Sequence, residues 1–176
     1  MHISALEEYG LRCALQLASL PEGALLAASQ VADREGISVQ YASKILHLFR
    51  KSGLVKASRG IQGGFRLVKD PRQISLKEVF AAFRDSDSVF CGRYAGQQVE
   101  CVHLKGCSVR PVFDVLTGYF DSVLEQLTLE DLRRTEDEAK ARIERFASFE
   151  AEKIRTRFAL PSGANGSEKF MNGSKE

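Results

Sequence analysis

Apolar residues at Ile3, Leu6, Leu11, Ala14, Leu15 and Leu17 or Ala18 recur close to a 3.6-residue period, which predicts an amphipathic helix over residues 3 to 20. Pro21, Glu22 and Gly23 end it. After the short apolar link from Leu25 to Ala27, Ser29 offers an N-cap for the helical stretch SQVADREG, and Gly36 suits its C-terminal turn. Ser38 offers the next N-cap, for VQYASKILHLFRKSG. There Tyr41, Ile45, Leu48 and Phe49 form one apolar face, and Gly53 stops the helix.

Two short helices joined by Gly36-Ile37-Ser38 make a helix-turn-helix, whose second helix can enter a major groove. The pattern then changes period. LVKAS at 54–58 and FRLVKD at 65–70 read as strands on either side of RGIQGG, so a glycine-rich β-hairpin follows the helix pair in the position of a wing. Asp70-Pro71 breaks it. ISLKEVFAAF at 74–83 returns to the helical period, capped by Ser75 with Glu78 at capping-box spacing. A polar stretch occupies 85–108. Residues 109–128 then carry a stripe of Val112, Leu116, Phe120, Val123 and Leu127, widened by Val115, Tyr119 and Leu124. Such a helix is roughly 30 Å long and suits either core packing or a partner chain. Thr128 or Thr135 caps a further charged helix to about Phe158, and the Gly-, Ser- and Asn-rich tail 159–176 reads as disordered. The fold class expected is mostly α with a small β-hairpin. The segments are a winged helix-turn-helix domain at 1–84, a cysteine-rich loop at 85–108, and long helices at 109–158.

Composition adds limits. No apolar run approaches the roughly 20 residues of a membrane-spanning helix. MHISALEEYGLRCALQLASL has two adjacent acids before its apolar part and no basic leader, so a cytoplasmic protein without a secretory signal is expected. Net charge is only +2, but its distribution is uneven: from Lys44 to Arg72 there are eight Lys or Arg and one acid, Asp70. A local basic patch of this kind suits double-stranded DNA as partner. In the second helix Gln40, Ser43, Lys44 and His47 lie on the expected exposed side. Ser38 and Tyr41 at its start suit phosphate contact beside the positive helix end, whereas Gln40 and Lys44 suit base edges. Tyr41 equally suits a core aromatic. In the hairpin, Gly60, Gly63 and Gly64 allow a tight turn and close approach, and the flanking Arg59 and Arg66 are placed to reach a narrow minor groove. The bland reading of the same stretch is a solvated basic hairpin.

CGRYAGQQVECVHLKGC, residues 91–107, holds three of the four cysteines. A cytosolic compartment disfavours a disulfide and favours metal or redox chemistry. Iron–sulfur clusters are commonly held by four thiolates, so Cys91, Cys101 and Cys107 leave such a site one ligand short. His103, a side chain from elsewhere in the chain, or one from a second subunit can complete it. Zinc on Cys91, Cys101, His103 and Cys107 is chemically allowed, although no CxxC pair occurs. A loop without metal is the third reading. Cys13 sits at a helical position and reads as a small buried residue. No His, Asp or Gly motif accompanies the thiols, so no enzyme is expected.

Taken together, YGLRCALQLA, ISVQYASKIL, FRKSGLV, SRGIQGGFRLVKDP, ISLKEVF, the three cysteines and TLEDL resemble the iron–sulfur-binding winged-helix regulators of bacteria that include IscR, NsrR and RirA. The resemblance runs from Met1 to about Leu132. It implies a homodimer joined through the long helix after the cysteine loop, and a 2Fe-2S or 4Fe-4S cluster in each subunit near that interface. It also implies a transcriptional regulator, most simply a repressor, whose binding to palindromic promoter DNA is gated by the cluster. Cys91, Cys101 and Cys107 match the three ligand cysteines, with a longer first gap than is typical of IscR and NsrR. The histidine that IscR-like members carry three residues after the third cysteine is Arg110 here. Some NsrR-like members recruit an N-terminal carboxylate of the partner subunit, and Glu8 holds that place. A cluster-free or zinc-stabilised winged-helix regulator is the alternative.

Overall fold

The computed structural model describes residues 3–60, 63–83 and 106–158. Helix α1, Ala5–Ala18, begins where the sequence supplies a reciprocal cap: the Glu7 N–H donates to Ser4 Oγ (3.2 Å) and the Ser4 N–H donates to the Glu7 carboxylate (2.9 Å). Helix α2, Ala28–Glu35, starts earlier than expected. Ser29 lies inside the first turn and Ala27 is the N-cap, its N–H held by Gln30 Oε1 at 2.9 Å. The cause is tertiary. Leu26 exchanges two backbone hydrogen bonds with Phe65 (3.0 and 2.9 Å), so the chain is extended as far as Ala27 and turns helical at once. Gly36 closes α2 in the left-handed region at φ 65°. Ser38 then caps α3, Val39–Lys51, by accepting the Tyr41 N–H at 3.1 Å.

The buried face of α3 is Ala42, Ile45, Leu46 and Phe49; Tyr41 and Leu48 are only half-buried. The expected face was rotated from this one because α3 packs against both α1 and α2, which widens its buried stripe toward Ala42 and Leu46. Gly53, at φ 79°, turns the chain into strand β1, Val55–Ser58, which pairs antiparallel with β2, Gly64–Leu67. In that register Lys56 faces Arg66 and Ser58 faces Gly64. Gly64 is required where it stands: a Cβ there would lie 2.8 Å from the backbone C and O of Leu26.

A short 3-10 turn, Pro71–Gln73, leads to α4, Leu76–Ala81, with the expected box of Ser75 and Glu78. Beyond the cysteine segment come α5, Arg110–Gln126, the single-turn α6, Leu129–Leu132, and α7, Glu136–Phe158. Thr128 and Thr135 therefore both act as caps, the first on α6 and the second on α7. The Leu76 N–H donates to Leu127 O (2.8 Å) and the Leu129 N–H to Ile74 O (3.0 Å), a bridge that ties the end of α5 to the start of α4. Leu124, Leu127 and Leu129 consequently join Cys13, Leu17, Val31, Ile45, Phe49, Ile74 and Val79 in one core. The outer half of α5 is different. Val109, Val112, Phe113 and Leu116, at helical spacing, remain exposed. No helix among the described residues is long and apolar enough to cross a membrane.

Candidate nucleic-acid interface and cluster ligands

The core decides which face of α3 is left for a ligand. With Ala42, Ile45, Leu46 and Phe49 buried, Gln40, Ser43, Lys44 and His47 point outward together. None of these four side chains makes a hydrogen bond or ion pair among the described residues, so their polar groups are available to a partner. Ser38 is exposed, but its hydroxyl is engaged by the Tyr41 N–H. Val39 is also exposed, an apolar residue passed over when the period alone was considered.

The hairpin is fastened directly to this helix: the Leu54 N–H donates to Phe49 O at 2.9 Å across Gly53. Its solvent face carries Lys56 and Arg66, and Arg59 and Gly60 are exposed at its outer end. Gly60 has φ 116°, and the Gly63 N–H returns to its carbonyl at 2.9 Å. A Cβ on Gly63 would stand 2.5 Å from Ser58 O. Gly63 and Gly64 thus build the turn and its seating on Leu26, while Gly60, Arg59 and Arg66 lie at the surface. Of the eight cations between Lys44 and Arg72, only Lys69 is ion-paired within the described residues, to Glu78 at 2.7 Å. Six of the unpaired cations, Lys44, Arg50, Lys51, Lys56, Arg59 and Arg66, lie on this helix and its hairpin and form an electropositive surface although the whole chain is near neutral.

Tyr41 connects this surface to α1. Its ring meets Tyr9 edge-on at 5.9 Å between centroids. The Arg12 guanidinium lies 5.7 Å from the Tyr9 centroid and also pairs with Glu8 at 2.9 Å. Glu8 and Arg12 side chains are each 55% exposed, so their attraction is screened and worth at most about 1 kcal/mol. The Glu8 carboxylate is therefore accessible and cheaply released.

Of the cysteines, Cys107 is half-buried with a free thiol, just ahead of α5. Cys13 is fully buried, and its thiol is pushed up to about 12, first by burial and then by the charge of Glu35. A group held so firmly protonated is a poor metal ligand. Cys91, Cys101 and His103 lie outside the described residues, as do Ile61, Gln62 and residues 159–176. Among the described residues, no cluster of three or more His, Cys, Asp or Glu is placed to hold a metal. The donor chemistry still suits an iron–sulfur group: a free thiol at Cys107 just ahead of α5, two more cysteines shortly before it in the sequence, and an unburied carboxylate on α1.

Comparison with known proteins gives the family and the fold. Residues 3–135 match the family model described as Rrf2, iron-dependent transcriptional regulator. The chain is 32% identical over 142 residues to the HTH-type transcriptional regulator NsrR of Shouchella clausii, covering 80% of this chain and 94% of that one. It is 34% identical over 143 residues to the NsrR of Halalkalibacterium halodurans, covering 80% and 96%. In three dimensions it resembles the IscR of T. potens at a TM-score of 0.60 and 24% identity, covering 75% of this chain and 85% of that one. It resembles CymR, the global cysteine regulator of B. subtilis, at a TM-score of 0.60 and 24% identity, covering 76% and 96%.

Proposed function

The chain belongs to the Rrf2 family of transcriptional regulators and is a DNA-binding regulator; we propose that it represses transcription as a homodimer on palindromic promoter sites, under the control of an iron–sulfur cluster. The observation that carries the DNA-facing half is the free polar face of α3 beside an uncompensated basic hairpin. α3 would lie in the major groove with Gln40, Ser43 and Lys44 toward base edges. Ser38, Tyr41 and the N-terminus of α3 would take phosphate, and Arg59, Gly60 and Arg66 would meet the minor groove. The exposed apolar row Val109, Val112, Phe113 and Leu116 supports a dimer seam along α5.

Cys91, Cys101 and Cys107 of one protomer, with the partner's Glu8, would hold the cluster, of 2Fe-2S or 4Fe-4S type. When bound it supplies iron sites that respond to redox state, iron supply or nitric oxide. The protein's own part is mechanical. Glu8 has two alternative partners, the cluster iron and Arg12, and the second costs little to give up. Arg12 rests on Tyr9, and Tyr9 rests on Tyr41 in the first turn of α3. The exchange of partners at Glu8 therefore biases how the recognition helices of the dimer are set, which is a difference in DNA affinity between two states.

Anaerobic purification with iron, sulfide and absorbance measurements tests this reading. A coloured protein with matching iron and sulfide is expected, and Cys107→Ala should bleach it. A colourless protein holding stoichiometric zinc overturns the cluster and leaves a zinc-stabilised regulator. Glu8→Ala with an unchanged spectrum and cluster lifetime removes only the carboxylate from the ligand set.

A further inference from the structure

Val39 is the only apolar residue among the exposed positions of α3, which otherwise hold Gln40, Ser43, Lys44, His47, Arg50 and Lys51. It is 46% exposed and is not among the side chains packed on the core. It heads the row that continues one turn on with Ser43 and two turns on with His47. Helix formation does not call for it, since a β-branched residue is a poorer helix former than alanine. Its neighbour Ser38 is turned back to accept the Tyr41 N–H, so the outward tip of α3 presents an isopropyl group beside the unengaged amide of Gln40.

A recognition helix of this type puts its N-terminal residues against base edges. Apart from ring C–H groups, the base edges in the major groove present hydrogen-bond donors and acceptors and a single apolar substituent, the C5-methyl of thymine. From this juxtaposition we propose that Val39 is a specificity-determining residue that packs against a thymine methyl in each half-site, next to the base engaged by Gln40. The proposal rests on α3 being the helix that enters the groove. The contact contributes through burial of two apolar groups, so removal of one methyl should weaken binding about fourfold per half-site.

The test uses the full-length chain and a random duplex library from which it selects its preferred sequence. In that selected duplex each thymine is replaced in turn by deoxyuridine, which removes the methyl and leaves the base pair intact. One thymine per half-site should show the loss in the wild-type protein. Val39→Ala, whose fold circular dichroism checks, should bind the parent duplex more weakly and show no further loss at that thymine. A selected sequence whose uracil penalties are all the same in Val39→Ala as in wild type overturns the assignment while leaving DNA binding intact. A chain that enriches no sequence overturns the groove-entering role of α3, and the assignment falls with it.

Discussion

Gly10 of α1 faces the ring of Phe83, which comes shortly before Cys91 and Cys101 in the sequence, and this contact leaves no room for a side chain unless the ring shifts. A Cβ on Gly10 would stand 2.1 Å from Phe83 Cζ and 2.4 Å from Cε2. Ordinary carbon contacts begin near 3.5 Å, so something must move by about 1 Å or more. The ring has little room to retreat, because Phe49 of α3 lies against it with centroids 5.2 Å apart. Overpacking of this kind costs about 1–3 kcal/mol, and a clash this deep belongs near the top of that range. Alanine regains about 1 kcal/mol over glycine within a helix. Gly10→Ala should therefore destabilise the protein by about 2 kcal/mol, lowering Tm by about 4–8 °C for a chain of this size. Urea unfolding of metal-free protein, followed by circular dichroism, measures it without a ligand contribution. Phe83→Leu frees the space, so the double variant should be more stable than the sum of the single losses predicts, by about 1 kcal/mol or more. A Gly10→Ala protein as stable as wild type, or strict additivity with Phe83→Leu, would refute the packing account.

Three further outcomes follow from particular side chains. Arg59→Ala should weaken binding most on duplexes whose minor groove is narrow and A·T-rich where the hairpin meets it, and should lower the salt dependence of binding, in anisotropy titrations across such duplexes and ionic strengths. Cys13 should resist iodoacetamide at pH 8 in the native protein and react once urea unfolds it. Its thiol is raised from an ordinary value of 9.0 to about 12, so the native state holds its proton longer than the unfolded chain. That stabilisation is present below pH 9.0 and is lost as pH rises toward 12, which alkaline unfolding curves of wild type and Cys13→Ala can compare. Asp131 closes the cap on Thr128 and receives Arg142 Nε from α7 at 3.1 Å. Burial pushes its carboxyl up, but the Thr128 N–H and hydroxyl and the Arg142 charge outweigh burial and hold it below its ordinary value. Its contribution is thus present at neutral pH and fades as pH falls through the acid range; Asp131→Ala should cost about 1–2 kcal/mol at pH 7 and less in acid.

Much of this molecule is local and can be read from the chain. Ser4, Ser38, Ser75, Thr128 and Thr135 cap helices because a short side-chain oxygen reaches the third N–H whatever the rest of the fold does. Gly36 and Gly53 take left-handed turns because other residues pay for that conformation. The helix pair, the glycine hairpin and the basic run from Lys44 to Arg72 follow from such local preferences, and so does the candidate DNA-binding surface they outline. Other features exist only through contacts between distant residues. Ala27 rather than Ser29 starts α2 because Phe65 holds Leu26 in a bridge. Ala42 and Leu46 rather than Tyr41 and Leu48 line the core because α3 serves two neighbours at once. The stripe of α5 divides into a buried inner half and an exposed outer half because the Ser75–Thr128 bridge draws one end of that helix into the core. Periodicity marks a residue as apolar and on a given face, but burial depends on whether another element covers that face. The same distinction separates Cys13 from Cys107: the chain presents both as thiols, and only packing makes one an inert core residue and leaves the other free beside α5.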